Sequence, residues 1–131
     1  MVEIPTNPIT RLCLVRHGET EWNAARRIQG QIDIGLNETG LRQAEAAGRW
    51  LKMAGIMALY SSDLKRARTT AEAIGRALGL APVLVPEMRE RRYGTFEGLT
   101  YDEAKAKYPE GYAAFEGRNA DYSFENGESL H

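Results

Sequence analysis

Three polar strings in this sequence follow short apolar runs, and each carries residue types that handle phosphate or protons. The first is LVRHGETEWN, Leu14 to Asn23. It places Arg16, His17 and Gly18 together, with Asn23 a few residues on. An arginine fork binds phosphate oxygens through parallel N–H donors. A neutral imidazole is a competent nucleophile near neutral pH. Gly18 permits a turn and a close backbone approach to a ligand. The set suits an anion site that carries its own nucleophile; a surface histidine beside a surface arginine is the competing reading.

The second string is SSDLKRARTTA, Ser61 to Ala71, which offers Lys65, Arg66 and Arg68. Residues two apart on a helix face different ways, so Arg66 and Arg68 cannot both serve one site. A solvated basic helix face is the bland alternative. The third string is MRERRYGTFEG, Met88 to Gly98, where Glu90 is a candidate proton donor within what could also be a charged loop. Three such segments in succession favour one convergent site.

The elements that would position these residues are legible in the periodicity. Arg11 to Val15 is a short apolar run that predicts a buried strand delivering Arg16 and His17 at its end. Asn37 is a helix N-cap, and Leu41, Ala44, Gly48 and Leu51 share one helical face, with Gly55 closing the segment. Ile56 to Tyr60 predicts a second strand. Ser61-Ser62-Asp63 would cap a helix that turns Leu64, Ala67, Ala71, Ile74 and Leu78 inward and stops at Gly79. Val83 to Val85 predicts a third strand. This β-α-β-α-β alternation defines an α/β fold with parallel crossovers. Ligands in such sheets bind beyond the carboxyl ends of the strands, where the polar strings lie. Thr100 caps a further helix through Lys107, and Pro109 stops it. Residues 109–131 show no period and read as surface loop with one helical turn.

Composition narrows the partners. The chain has 131 residues and a net charge of −1, which argues against nucleic acid or an anionic membrane as the main partner. Apolar residues at 43% and charged residues at 27% match ordinary globular usage rather than a disordered chain. One cysteine excludes an internal disulfide and a cysteine-rich zinc site. Cys13 is no cysteine-phosphatase nucleophile either, because Glu19 stands where that chemistry needs an arginine; it reads as a buried strand residue. No P-loop, dinucleotide fingerprint, signal peptide or apolar membrane span is present. The expected setting is cytoplasmic, with no cofactor and no metal.

These strings together resemble the histidine phosphatase superfamily, the phosphoglycerate mutase-like proteins. The resemblance runs from Arg11 to about Ser129. It rests on Arg16-His17-Gly18 within LVRHGETEWN, on QGQIDIGLNETGLRQA, SSDLKRARTTA and ERRYGTFEG, and on Gly127-Glu128-Ser129. It implies a three-layer α/β/α fold with a mostly parallel sheet. It also implies that His17 takes the phosphoryl group and that Arg16 and Arg66 clamp the phosphate oxygens. Asn23, Gly18 and Thr20 would lie at the phosphate, Gln29 and Gly30 at the substrate mouth, and Glu90 would protonate the leaving oxygen. Arg91 and Tyr93 complete the expected substrate-binding set. The expected partner is a small phosphorylated metabolite, and a homo-oligomer is compatible with the sequence.

The chain departs from the family in one respect. The family carries a second histidine on a later strand, well after the Gly-Glu-Ser segment. Here His131 stands directly after Leu130, too close to Ser129 to fill that position. The expectation is a single domain over residues 1–131, C-terminally incomplete. Mutases of the family carry a long insertion after the acid glutamate; this chain has none, which resembles the phosphatase branch. Arg91, Arg92 and Arg118 are either contacts to a second anionic group or solvated surface charge. The resemblance therefore points to phosphate monoester hydrolysis through a phosphohistidine. Mutase activity, or a catalytically weak relative that binds phosphorylated ligands, is the alternative.

Overall fold

The computed structural model describes residues 9–131. Its elements follow from local chemistry. Thr20 opens a short helix α1 (Glu21–Ala24) through a reciprocal capping box with Asn23, an element too short to leave a periodic signal. Asn37 caps α2 (Glu38–Leu51), its side-chain oxygen accepting the Gly40 N–H at 2.8 Å. Ala44, Gly48 and Leu51 lie on the buried face as expected, but Leu41 is 44% exposed and Gly40 takes its place in the interior.

Strand β1 (Tyr60–Ser61) runs into α3 (Lys65–Leu78), and β2 (Val83–Leu84) returns parallel to β1, with Tyr60 opposite Val83 and Ser61 opposite Leu84. This is the expected β-α-β unit, with each strand shorter than the apolar run that encodes it. Gly79 ends α3 in the left-handed conformation, φ 71°. The start of α3 differs from expectation. No side chain of Ser61, Ser62 or Asp63 caps it; Asp33, from a distant loop, accepts the Lys65 N–H at 2.7 Å. Ser61 instead donates to its neighbour's carbonyl, and Asp63 is taken by Arg89. Helices α2 and α3 pack closely because their contact is built from small residues. A Cβ at Gly48 would lie 3.0 Å from that of Ala77. Leu64, Ala71 and Ile74 are buried, while Ala67 and Leu78 are half-buried.

Thr100 caps α4 (Tyr101–Lys107) through a second capping box with Glu103. Pro109 does not end helical structure. It occupies the first position of α5 (Pro109–Glu116), where a proline's missing N–H costs nothing. The loop expected beyond Pro109 is thus two helical turns, and its aromatic residues build a core. Phe96 and Phe124 are 1% and 3% exposed, and Tyr93, Tyr108, Tyr112, Phe115 and Tyr122 pack on them. Edge-to-face pairs such as Phe96–Phe124, 4.8 Å between centroids, give this cluster its geometry.

The expected strand at Arg11 to Val15 does not form. Residues 9–16 make no backbone hydrogen bond among the described residues, and Leu12 and Leu14 are 86% and 92% exposed. A buried strand needs ladder partners and apolar cover, and among the described residues β1 and β2 pair only with each other. Cys13, expected inside that strand, is exposed. No helix among the described residues is long and apolar enough to cross a membrane.

Candidate active site

His17 sits at the turn where the extended N-terminal segment meets α2 and α3. Gly18 makes that turn possible: its N–H donates to the Thr70 hydroxyl at 3.0 Å, and Thr70 in turn donates to the Arg66 carbonyl at 2.7 Å. The His17 Nδ1 lies 2.7 Å from the Gly18 carbonyl oxygen. A carbonyl only accepts, so Nδ1 carries the proton and Nε2 keeps its lone pair. The ring is half-buried. Its pKa lies below the ordinary 6.5, chiefly because burial disfavours the charged ring and secondarily because Arg66 and Arg16 are near; the Gly18 bond and Glu90 oppose this.

Arg66 projects from the first turn of α3 and is 2% exposed. Two of its N–H groups donate to backbone carbonyls, Nη1 to Ile32 at 3.0 Å and Nη2 to Gly30 at 2.5 Å. A guanidinium has five donors, so three remain. Burial lowers its pKa, against the pull of Glu90, Asp33 and Glu97. Arg68, two residues on, faces outward and pairs with Glu72 at 2.7 Å.

A cavity of about 400 Å³ joins these groups. Arg16, His17, Ser61, Ser62, Arg66, Arg89 and Glu90 give it polar walls, and Ala67, Ala71 and Ile74 give it an apolar floor. The four residues expected to do the chemistry, His17, Arg16, Arg66 and Glu90, thus share one space. Arg16 and Glu90 are exposed at its rim.

The seven expected substrate-binding residues are not among those that line this cavity. Gly18 forms the turn described above. Thr20 is fully buried; its hydroxyl lies 2.8 Å from the Gln29 side-chain oxygen and caps α1. Asn23 spends its side-chain oxygen on the Thr20 N–H at 3.0 Å. Gly30, at φ 52°, holds Arg66 through its carbonyl. Arg91 donates to the carbonyls of Glu128 and Tyr122, at 2.8 and 2.7 Å, and lies over the Phe124 ring. Tyr93 belongs to the aromatic core, and burial, then the charge of Glu90, raises its pKa. Of the other arginines offered for a second anion, Arg92 bonds Gln31 at 3.2 Å, and Arg118 is exposed beyond α5. Neither lines the cavity.

Ser61, Ser62 and Arg89 line the cavity without having been singled out from the sequence as site residues. The first two stand inside SSDLKRARTTA one turn ahead of Arg66, which was the available signal. Arg89 stands inside MRERRYGTFEG directly before Glu90, but its partner Asp63, remote in sequence, gave no signal.

The family model of the histidine phosphatase superfamily (branch 1) matches residues 12–131. The chain therefore belongs to that superfamily. It is 51% identical over 109 residues to the metal-independent phosphoserine phosphatase of Arabidopsis thaliana, covering 82% of this chain and 46% of the relative. It is 46% identical over 122 residues to phosphoglycerate mutase-like protein 4 of the same plant, covering 91% of this chain and 53% of the relative. A mycobacterial glucosyl-3-phosphoglycerate phosphatase solved with VO3 superposes with a TM-score of 0.81 at 36% identity, covering 86% of this chain and 54% of that one. The chain thus spans about half the length of these relatives, and its fold is the α/β fold of the phosphoglycerate mutase-like phosphatases.

Proposed function

We propose that the protein hydrolyses small phosphate monoesters through a phosphohistidine on His17. The observation that carries this reading is the His17 ring. Its Nδ1 proton is engaged by the Gly18 carbonyl, so Nε2 is the free lone pair in a cavity lined by three arginines and a carboxylate. Nε2 attacks phosphorus, and the P–O bond to the alcohol breaks. Arg16 and Arg66 hold the equatorial oxygens, each charge-assisted bond contributing about 1.5–3 kcal/mol. Glu90 delivers a proton to the departing oxygen. Water then attacks the phosphohistidine, Glu90 takes its proton, and inorganic phosphate leaves.

Hydrolysis is favoured over phosphoglycerate mutation by the arginines themselves. Arg91 donates to two carbonyls and Arg92 to Gln31, and neither lines the cavity that holds His17 and Arg66. Relatives named as phosphatases, for phosphoserine and for glucosyl-3-phosphoglycerate, support the same direction. The test is release of para-nitrophenol from its phosphate ester, with acid-quenched trapping of the phosphoenzyme. His17→Ala is expected to abolish both. Equal turnover with alanine at position 17 would overturn the reading.

A further inference from the structure

Glu90 must stand at a fixed distance from the anion held by Arg66. On its C-terminal side Arg91 is anchored to the Glu128 and Tyr122 carbonyls and its N–H donates to the Glu90 carboxylate at 2.8 Å, while the segment before Glu90 is exposed. Residues 86–91 follow β2 as a 3-10 turn (Pro86–Met88) and an extended stretch, with Pro86 to Glu90 all exposed. The Met88 and Arg89 N–H groups bond only locally, to Val85 and Pro86. Among the described residues, two further hydrogen-bonded tethers join residues 86–90 to the rest of the fold. One is a single bond at 3.1 Å from the Gln31 side chain to the Glu90 carbonyl. The other is a fork: Arg89 Nε to Asp63 Oδ1 at 2.6 Å and Nη2 to Oδ2 at 2.5 Å.

The fork's position gives it meaning. Arg89 is the residue before Glu90. Asp63 follows Ser62 on the cavity wall and stands in the turn that launches Arg66. The pair thus joins the segment bearing the acid to the segment bearing the phosphate clamp. A bidentate arginine–carboxylate contact fixes orientation as well as distance. A half-exposed ion pair contributes little to stability, so its effect should appear in geometry. We propose that Asp63 and Arg89 are positioning residues that clip Glu90 at the rim so that its proton reaches the leaving oxygen.

This inference rests on the phosphatase reading, and one experiment separates the two. The full chain, Asp63→Asn and Glu90→Gln are compared on phenyl phosphate, whose leaving group needs a proton, and para-nitrophenyl phosphate, whose leaving group needs one far less. Asp63→Asn is expected to lower kcat on phenyl phosphate by about 10-fold to 100-fold, the loss a misplaced group produces, with a clearly smaller loss on the nitrophenyl ester and an unchanged melting temperature. If Glu90→Gln splits the two esters and Asp63→Asn does not, the clip is wrong and the acid stands. If Glu90→Gln treats both esters alike, the acid role falls and the clip falls with it. Should Asp63→Asn fail to fold, Arg89→Lys, which keeps the charge and loses the fork, is measured on the same pair of esters with the same criterion.

Discussion

Gly18 and Gly40 meet backbone to backbone: a Cβ on Gly18 would lie 2.4 Å from the Gly40 carbonyl oxygen, and one on Gly40 would lie 2.1 Å from that of Glu19. The turn carrying His17 is thereby pressed against the first turn of α2. Asn37 secures the same junction, donating its N–H to the Glu19 carbonyl at 3.0 Å and its side-chain amide to the Glu19 carboxylate at 2.8 Å. Gly40→Ala is expected to cost about 1–3 kcal/mol, because a methyl group must force two backbones apart. Turnover should fall as well, since His17 rides on that turn. Gly35, where a Cβ would meet nothing within 4 Å, is the control, and Gly35→Ala should leave both near their original values. Thermal unfolding and steady-state turnover check the pair; a neutral Gly40→Ala would contradict the contact.

Arg66→Lys tests the fork. Lysine keeps the charge but cannot reach the Gly30 and Ile32 carbonyls while also facing the cavity. Leaving one of these carbonyls unpaired costs about 1–3 kcal/mol. The expected outcome is a lower melting temperature together with a large fall in kcat. A change in activity with unaltered stability would mean that the carbonyl bonds do not hold the guanidinium.

His17 gives a pH prediction whose sign follows from burial and charge. Burial first, then Arg66 and Arg16, place its folded pKa below 6.5. The ring therefore stays neutral and nucleophilic at pH values where a free histidine is already protonated. Stability carries the same sign. The unfolded chain binds the extra proton, so the contribution is complete above the ordinary value near 6.5 and is lost as pH falls through the folded value. NMR titration of the His17 ring should show a midpoint below 6.5, and Arg16→Gln, which removes a nearby positive charge, should move it upward. A midpoint above 6.5 in the unsubstituted protein would refute the electrostatic account.

The sequence was most legible where one element fixes its own chemistry. Asn37 and Thr100 announce helix starts because a cap bonds within three residues, and Arg16-His17-Gly18 is contiguous. Legibility failed where a partner lies far along the chain. Asp33 caps α3 from more than thirty positions away, in place of the local Ser61-Ser62-Asp63. Arg89 finds Asp63 across 26 positions, and Arg91 finds its carbonyls at Tyr122 and Glu128. The apolar run Arg11 to Val15 has the composition of a buried strand, but a strand is completed by neighbours that periodicity cannot supply. The aromatic residues of 108–124 lack a period because they converge from a helix, a turn and a loop onto Phe96.

Gly30 links that aromatic half to Arg66. Its φ of 52° is a conformation that side chains rarely adopt, and a Cβ there would lie 2.0 Å from the Glu97 carboxylate. That carboxylate accepts the N–H groups of Gln31 at 2.9 Å and Tyr93 at 3.0 Å, tying the Gly30 loop to the segment below Glu90. On its other side the Gly30 carbonyl holds Arg66. Gly30→Ala should therefore act at a distance from the cavity wall: it displaces Glu97, shifts the carbonyl and tilts the guanidinium. The expected result is a fall in stability of about 1–3 kcal/mol and weaker competitive inhibition by vanadate, a mimic of the transferring phosphoryl group. Glu97→Ala in the same chain makes room for the new methyl group. If the double variant recovers vanadate inhibition relative to Gly30→Ala, the clash is the cause; if it does not, the left-handed backbone at Gly30 is what sets Arg66.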